Sequence, residues 1–405
     1  MSLPVADPQF WIVTAAAAVA LALTLRRLLR RPKASSANSL PCARCAQAGE
    51  IGHPPTPRRR GGRAVLLALA VAGAQPVSAA IVERDVAAMG SALRLSIEAV
   101  DRPTGLAVSN AIVAAVEDAE RRLSTWLKAS ELVSYNAAPS GAKVAFSPLA
   151  WHAVETAIAC WRETGGAFDP TVAPLVEAWG LRSGGRLPVA SEIETARRLV
   201  DAGRLELDRE HRRVGQPGGA RIEEGGFGKG AGLDAALAAA RAMAPGAHIE
   251  LDFGGQLAWT GRRAPVEVAV ADPRDRSRAV LALTLDAAAG SLSTSGNSEH
   301  PTVVDGVRIG HLLDPRTGRP AREIGSATVL ATEATAADCR STGLYVLGEA
   351  EGVALMSRWS RERRAEAVLL LIEAQGLRAL VSPGFAGRVR ALVPELRIQT
   401  IGGFS

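Results

Sequence analysis

The stretch His248–Leu285, HIELDFGGQLAWTGRRAPVEVAVADPRDRSRAVLALTL, holds three strand-like runs and no helical one. His248–Phe253 alternates polar and apolar residues. Val266–Ala271 and Val280–Leu285 are short aliphatic runs bounded by turn formers. Strands that follow one another without a crossover helix pair antiparallel, because a parallel pair needs a connection of about a dozen residues or more. Just upstream lies an Ala-rich helical run, Gly230–Met243. Downstream come a strand at Ala327–Ala331, a helix at Ala336–Leu347, and a hairpin of Ala365–Ile372 with Leu377–Val381 around Gly376. Nearer the N-terminus, Leu93–Ala99 reads as a strand, and 107–126 and 149–164 as helices. Ser191–Val200 reads as a helix opened by Ser191 and Glu192, and Leu205–Asp208 with Arg212–Val214 as a short hairpin. Strands and helices therefore come in clusters rather than in strict alternation, which predicts an α+β fold and not a doubly wound parallel sheet. No solenoid-type repeat is present.

The chain has 405 residues, 47% hydrophobic and 22% charged, too apolar for a disordered chain. Its net charge of +6 would suit a nucleic-acid binder, but the charge is unevenly spread. Residues 1–63 carry ten Lys/Arg and only Asp7 and Glu50 as acids, so the rest of the chain is slightly acidic. A basic nucleic-acid face is thereby excluded from the folded part. Four Cys rule out a disulfide scaffold. Cys160 and Cys339 read as singletons, buried small hydrophobes rather than nucleophiles.

The first 80 residues read as membrane-directed. Phe10–Leu25 is an uncharged apolar run of 16 residues, followed by Arg26, Arg27, Arg30 and Arg31. At 1.5 Å per residue it spans roughly 24 Å, and Leu28 and Leu29 can extend it toward a bilayer core of about 30 Å. Residues 1–35 are thus a candidate transmembrane helix with its C-terminal end inside. A start codon further downstream is the other reading of residues 1–50. Residues 36–57 form a linker holding Cys42-Ala-Arg-Cys45, a spacing open to half a metal site or a redox pair, though no second pair lies nearby. Residues 58–80 combine Arg58-Arg59-Arg60, the apolar run Ala64–Ala74 and small residues near Ala79, as in a signal peptide or signal anchor. Both segments predict that the domain of residues 81–400 is exported, periplasmic or facing the periplasm, and membrane-anchored if they are retained.

Glycine clusters and acids carry the candidate chemistry. Glu223-Glu-Gly-Gly-Phe-Gly-Lys-Gly230 precedes the Ala-rich helix, so backbone can approach an anion closely and Lys229 stands at a helix N-terminus. It is neither a Walker A loop nor a dinucleotide fingerprint. Taken alone, a glycine-rich turn with a solvated lysine explains it equally well. Asp338 and Thr342 are four apart in a predicted helix and share a face, a pairing that suits an oxygen-seeking cation such as Mg²⁺. His311-Leu-Leu-Asp-Pro-Arg-Thr-Gly318 is a turn whose histidine neighbours Asp314 and Arg316, an arrangement suited to acid–base work. Ala167-Phe-Asp-Pro-Thr171 predicts a helix start, with Asp169 as cap and Pro170 first.

In this order the motifs resemble the ApbE family, the FAD:protein FMN transferases. The landmarks are Met89-Gly-Ser91; Leu123-Ser-Thr-Trp126 with Asn136; Gly166–Val172 running to Trp179-Gly180; Glu224–Gly230 with Asp234; Gly254-Gly255; Thr294-Ser-Gly296; His311–Gly318; and Ala337-Asp338 with Thr342. They span about residues 84–385. The resemblance implies a T-fold-like antiparallel sheet packed with helices, and a cleft for FAD as substrate. It also implies Mg²⁺, with transfer of FMN to a Thr or Ser hydroxyl of an acceptor flavoprotein and release of AMP. Its metal ligands fall on the Gly228 carbonyl, Asp338 and Thr342, with Ser341 as a further candidate. Its flavin-nucleotide contacts fall on Met89, Trp126, Ala167, Phe168, Asp169, Gly225, Lys229 and Ala231. Lys229 adds fixed positive charge to the reaction, and His311 or Asp314 is the expected base. The chain departs from the pattern at Glu223 (usually Asp), Gly228 (usually Ala), Trp126 (often Tyr) and Asn297-Ser298-Glu299, where an aromatic is common. The other reading is an FAD-binding or FAD-hydrolysing protein, or a maturation factor of a nitrous-oxide-type reductase, without general transferase activity.

Overall fold

The computed structural model describes residues 79–297 and 302–402. The expected transmembrane helix, the linker with Cys42 and Cys45, nearly all of the expected signal segment, and Ser298 and Glu299 lie outside the described residues. Among the described residues no helix is long and apolar enough to cross a membrane.

Nine strands form the central sheet: β1 (Ala80–Ala88), β2 (Ser91–Ala99), β3 (His248–Phe253), β4 (Gln256–Thr260), β5 (Gly290–Gly296), β6 (Gly325–Ala331), β7 (Glu366–Glu373), β8 (Gly376–Val381) and β9 (Leu396–Thr400). Their order across the sheet follows their order in the chain. All neighbours pair antiparallel except β8 and β9, which are parallel. The α+β architecture expected from the sequence is what the chain adopts.

Seven helices are described: α1 (Arg102–Leu123), α2 (Glu131–Asn136), α3 (Pro148–Glu163), α4 (Ala173–Ala178), α5 (Ala190–Arg197), α6 (Gly228–Met243) and α7 (Ala334–Arg361). α1 begins five residues before its expected start, because Asp101 caps it by accepting from the Thr104 N–H at 2.7 Å. Its stripe Val108, Ile112, Val116 packs with Leu233, Ala236 and Leu237 of α6 over Leu95, Ile97, Ile249 and Leu251 of the sheet. α7 covers β6 to β8 with Leu344, Tyr345, Met356 and Trp359. It is broken at Gly348 (φ 65°, ψ −158°), directly after the expected end at Leu347. The opposite sheet face is covered by the hairpin Val266–Asp272 and Asp275–Leu285, through Val270, Val280, Leu281 and Leu283. That double coverage explains why β7 reads as a continuous apolar run, with Ala367 and Leu369 facing α7 and Val368 and Leu370 facing the hairpin.

Two expectations are corrected. Cys160 and Cys339 are buried, as expected, but they are bonded to each other, joining α3 to α7 across a sequence separation of 179 with Cα atoms 6.1 Å apart. Asp169 does not start a helix: α4 begins at Ala173 with Val172 as its cap residue. The Asp169 carboxylate instead accepts from Thr171 N–H and O–H at 2.7 and 2.6 Å and from Ala202 N–H at 3.0 Å, pinning the 167–171 turn to the chain at 202.

Candidate active site

The glycine loop ends against two other elements. A Cβ on Gly226 would lie 2.9 Å from the Phe168 ring and 3.5 Å from Thr342 Oγ1. A Cβ on Gly230 would lie 2.4 Å from the Ala334 carbonyl oxygen. These glycines let the first turn of α6 sit flush on the start of α7. Asp234, one turn along α6, locks the contact: it accepts from the Ala334 and Thr335 N–H groups at 2.7 and 2.8 Å and from Thr335 O–H at 2.6 Å. It thus caps α7, whose own Glu333 makes no side-chain cap bond. Gln256 Nε2 adds a bond to the Ala334 carbonyl at 2.8 Å.

These contacts bring Asp338 to α6, where its Oδ2 accepts from Gly230 N–H at 3.2 Å. Thr342 Oγ1 is 3.2 Å from Ser295 Oγ, which is 2.8 Å from Ser341 Oγ. Ser341 is fully buried, donates to the Asp338 carbonyl at 2.9 Å, and does not line the cavity. The described residues contain no group of three His, Cys, Asp or Glu side chains able to cage a metal. The donor set at this edge is one buried acid and hydroxyl or main-chain oxygens, beside a cavity. That composition suits Mg²⁺, which takes one or two carboxylates and completes its shell with water and phosphate oxygens.

The cavity has two lobes. The first, about 240 Å³, is lined by Phe168, Val176, Leu181, His311, Asp338 and Thr342 among others. The second, about 670 Å³, is lined by Met89, Ser124, Trp126, Gly228 and Arg276. Glu223, Gly225, Lys229 and Gly254 line both, so the lobes meet at the glycine loop. Lys229 Nζ is 3.8 Å from where a Gly254 Cβ would stand. The N-terminal N–H groups of the 16-residue helix α6 and Lys229 bring positive charge to that junction, beside the acids Glu223 and Glu224. Two joined lobes of this combined volume, with a lysine and a helix N-terminus between them, match a nucleotide-sized ligand better than a small metabolite.

Met89 and Gly90 form the two-residue turn between β1 and β2, both at positive φ (46° and 70°), as a type I′ hairpin requires. A non-glycine residue held there costs about 1–3 kcal/mol, and such strain concentrates at ligand sites. Trp126 is 65% exposed, with the Arg182 guanidinium 4.8 Å above its ring. Arg182 also pairs with Glu223 and Thr125, and donates to the Thr125 carbonyl at 3.2 Å. Glu224 accepts from Thr125 N–H at 3.0 Å. Burial first, then the neighbouring Glu224 charge, push the Glu223 carboxyl up to about 7.

Most expected site residues converge: Met89, Trp126, Ala167, Phe168, Asp169, Gly225, Gly228, Lys229, His311, Asp338 and Thr342 all line one lobe or both. Three do not. Ala231 is buried in the core with Phe168 and Phe227. Ser341 lies behind the cavity wall. Asp314 is held by Arg316 at 3.0 Å through both carboxylate oxygens, and Arg316 also grips Glu351. That leaves His311 as the cavity-facing member of the expected acid–base pair. Sequence reasoning did not single out Arg182 or Gln256, because single polar residues without a spacing pattern give no signal.

Residues 89–369 match the model of the ApbE family. The "FAD:protein FMN transferase" of Klebsiella pneumoniae (strain 342) is 30% identical over 326 residues, covering 77% of this chain and 90% of that protein. The transferase of the same description from Salmonella typhimurium is 29% identical, covering 73% and 86%. The crystal structure of the ApbE protein from Thermotoga maritima superposes with a TM-score of 0.66 at 29% identity, over 72% of this chain and 94% of that one.

Proposed function

Given that this chain belongs to the ApbE family, we propose that it is a Mg²⁺-dependent FAD:protein FMN transferase. On this reading it attaches FMN to a Thr or Ser hydroxyl of an exported or membrane flavoprotein and releases AMP. One observation carries the reading: two lobes meet at the glycine loop and Lys229, and the first of them is edged by Thr342 and by Asp338, whose carboxylate is bonded to the start of α6.

FAD lies with its pyrophosphate at that waist. Lys229 and the loop N–H groups hold the phosphate oxygens and stabilise charge that grows there as the bond breaks, a contribution of about 3 kcal/mol per well-aimed donor. Asp338, Thr342 and the Gly228 main-chain oxygen are the groups that would hold Mg²⁺. Once bound, the ion neutralises pyrophosphate charge and polarises the phosphorus centre. The acceptor hydroxyl oxygen attacks the FMN phosphorus, and the bond between that phosphorus and the bridging oxygen breaks. The bonding electron pair leaves with AMP, and the hydroxyl proton passes to His311, a general-base role worth about 10²–10⁴-fold. Trp126, backed by Arg182, offers a stacking face to an aromatic ring.

Action outside the cytoplasm belongs to the same proposal. It is supported by the basic and apolar N-terminal segments, and by a buried disulfide of the kind that persists in oxidising compartments. Incubation with FAD, MgCl₂ and a candidate acceptor subunit tests the activity. Flavin fluorescence surviving denaturing electrophoresis, with one AMP released per flavin attached, is the expected result. AMP release without protein-bound flavin would turn the reading to FAD hydrolysis.

A further inference from the structure

We propose that Asn297, acting with Tyr345 and Glu323, is a positioning residue that sets His311 in the cavity. The inference rests on the reading of His311 as the proton acceptor. Asn297 directly follows β5, at the position where this chain departs from the aromatic common in the family pattern, and it is 3% exposed. Its Oδ1 accepts from Leu312 N–H at 3.2 Å, and its Nδ2 donates to the Tyr345 hydroxyl at 3.0 Å. The Tyr345 hydroxyl donates in turn to Glu323 Oε1 at 3.1 Å, which also accepts from Gly325 N–H at 3.2 Å at the head of β6.

The polarity of this relay is fixed from one end. An ionised carboxylate only accepts, so Tyr345 donates to it, and the tyrosine oxygen is left to accept from the Asn297 amide nitrogen. The amide oxygen then faces Leu312. The residue on the other side of His311 rests on the same side chain: a Cβ on Gly310 would lie 2.5 Å from Asn297 Nδ2, so glycine lets the backbone run directly over the amide. Both chain neighbours of His311 are therefore fixed against Asn297, one by contact and one by a hydrogen bond. Leu312 is further tied through its carbonyl, which accepts from Ala321 N–H at 2.8 Å. A chain of this kind, buried at Asn297 and Tyr345 and ending on the exposed Glu323, gives each amide and hydroxyl group a fixed direction and rigidifies what it holds.

The test uses the purified protein with N297A, N297D, Y345F and H311N, each also checked by thermal melting. FAD affinity is read by flavin fluorescence titration, and turnover by AMP release and protein-bound flavin from saturating FAD in MgCl₂ with the candidate acceptor subunit present. The His311 ring is read by ¹⁵N-histidine NMR, its signal assigned by its loss in H311N. N297D keeps the shape but cannot donate to Tyr345 when ionised, and Y345F keeps the packing if either Asn297 variant fails to fold. The expected result is a fall in kcat of about tenfold or more, with FAD affinity within about twofold. The His311 signal and its titration should move, and N297A should cost nothing further in the H311N background. Native kcat with an unmoved His311 signal in N297A and Y345F would overturn the proposal. So would losses that multiply in the double variant, or loss of FAD binding in Y345F. Native turnover in H311N itself would instead reject His311 as the proton acceptor, and the proposal with it.

Discussion

The Gly230 N–H donates to Asp338 Oδ2 at 3.2 Å, bridging 108 residues of chain and tying the start of α6 to the first turns of α7. The acid is thereby oriented by backbone before any ligand arrives. Asp338→Ala removes the only carboxylate proposed for the metal, so FMN transfer should fall by roughly 10³-fold or more, while FAD still binds through the loop and both lobes. Thr342→Val keeps the shape, loses one oxygen and should fall less. Rates measured across a Mg²⁺ series check this, and a native rate for Asp338→Ala at every Mg²⁺ concentration would sink the assignment.

Lys229 stands at the waist between the lobes. Its replacement by Ala should weaken FAD binding or turnover by roughly 10²-fold, the scale of one lost charged donor, and leave the melting temperature unchanged. Titration of flavin fluorescence together with AMP release decides it. Unchanged affinity and unchanged turnover would remove Lys229 from the site.

Glu223 gives a pH signature. Its carboxyl is raised from the usual 4.5 to about 7 by burial and then by Glu224. The folded state therefore binds this proton more tightly than the unfolded chain. The stability it contributes is full below about pH 4.5 and is lost as pH rises toward 7, by at most roughly 3 kcal/mol. Glu223→Gln should melt higher than the parent at pH 8 and equal to it at pH 4.5. Parallel melting curves for the two proteins from pH 4.5 to 8 would contradict the shift.

The Cys160–Cys339 bond closes a very long loop. In the chain-entropy account such a closure is worth about 5 kcal/mol, so the Cys160→Ser/Cys339→Ser protein should unfold at markedly lower urea. Protein recovered from the export pathway and alkylated after unfolding without reductant should keep both residues unmodified, as peptide mapping would read. Two alkylated cysteines would mean that the bond does not form there. A phosphatase fused after residue 85 should be active if the chain is exported, and an inactive fusion would reject the topology.

Much of this architecture was legible because burial leaves a period in the sequence. β2, β3 and β7 and helices α1, α3 and α6 all announce themselves by their apolar spacing. β5, Gly-Ser-Leu-Ser-Thr-Ser-Gly, does not, because its polar side chains turn to the cavity and to the hydroxyl cluster of Ser341 and Thr342. The glycine loop, Asp338 and His311 stood out through fixed spacings. The roles of Asp169, Asp314, Asn297 and the cysteine pair did not. Each depends on a partner chosen by tertiary packing: Ala202, Arg316, Tyr345, or a thiol 179 residues away.

Asp234 reaching over to cap α7 has a consequence for biosynthesis. The glycine loop and helix α6 are complete once residue 243 has been made, but the carboxylate that faces them arrives about a hundred residues later. A nascent chain presents half a site, with an anion cradle and no opposing acid. The first lobe gains the walls supplied by residues 293–296, 311–313, 315, 338 and 342 only when the later part of the chain has docked, so both ends of a dinucleotide can be enclosed only then. Whichever side of a membrane hosts that docking must also supply the flavin.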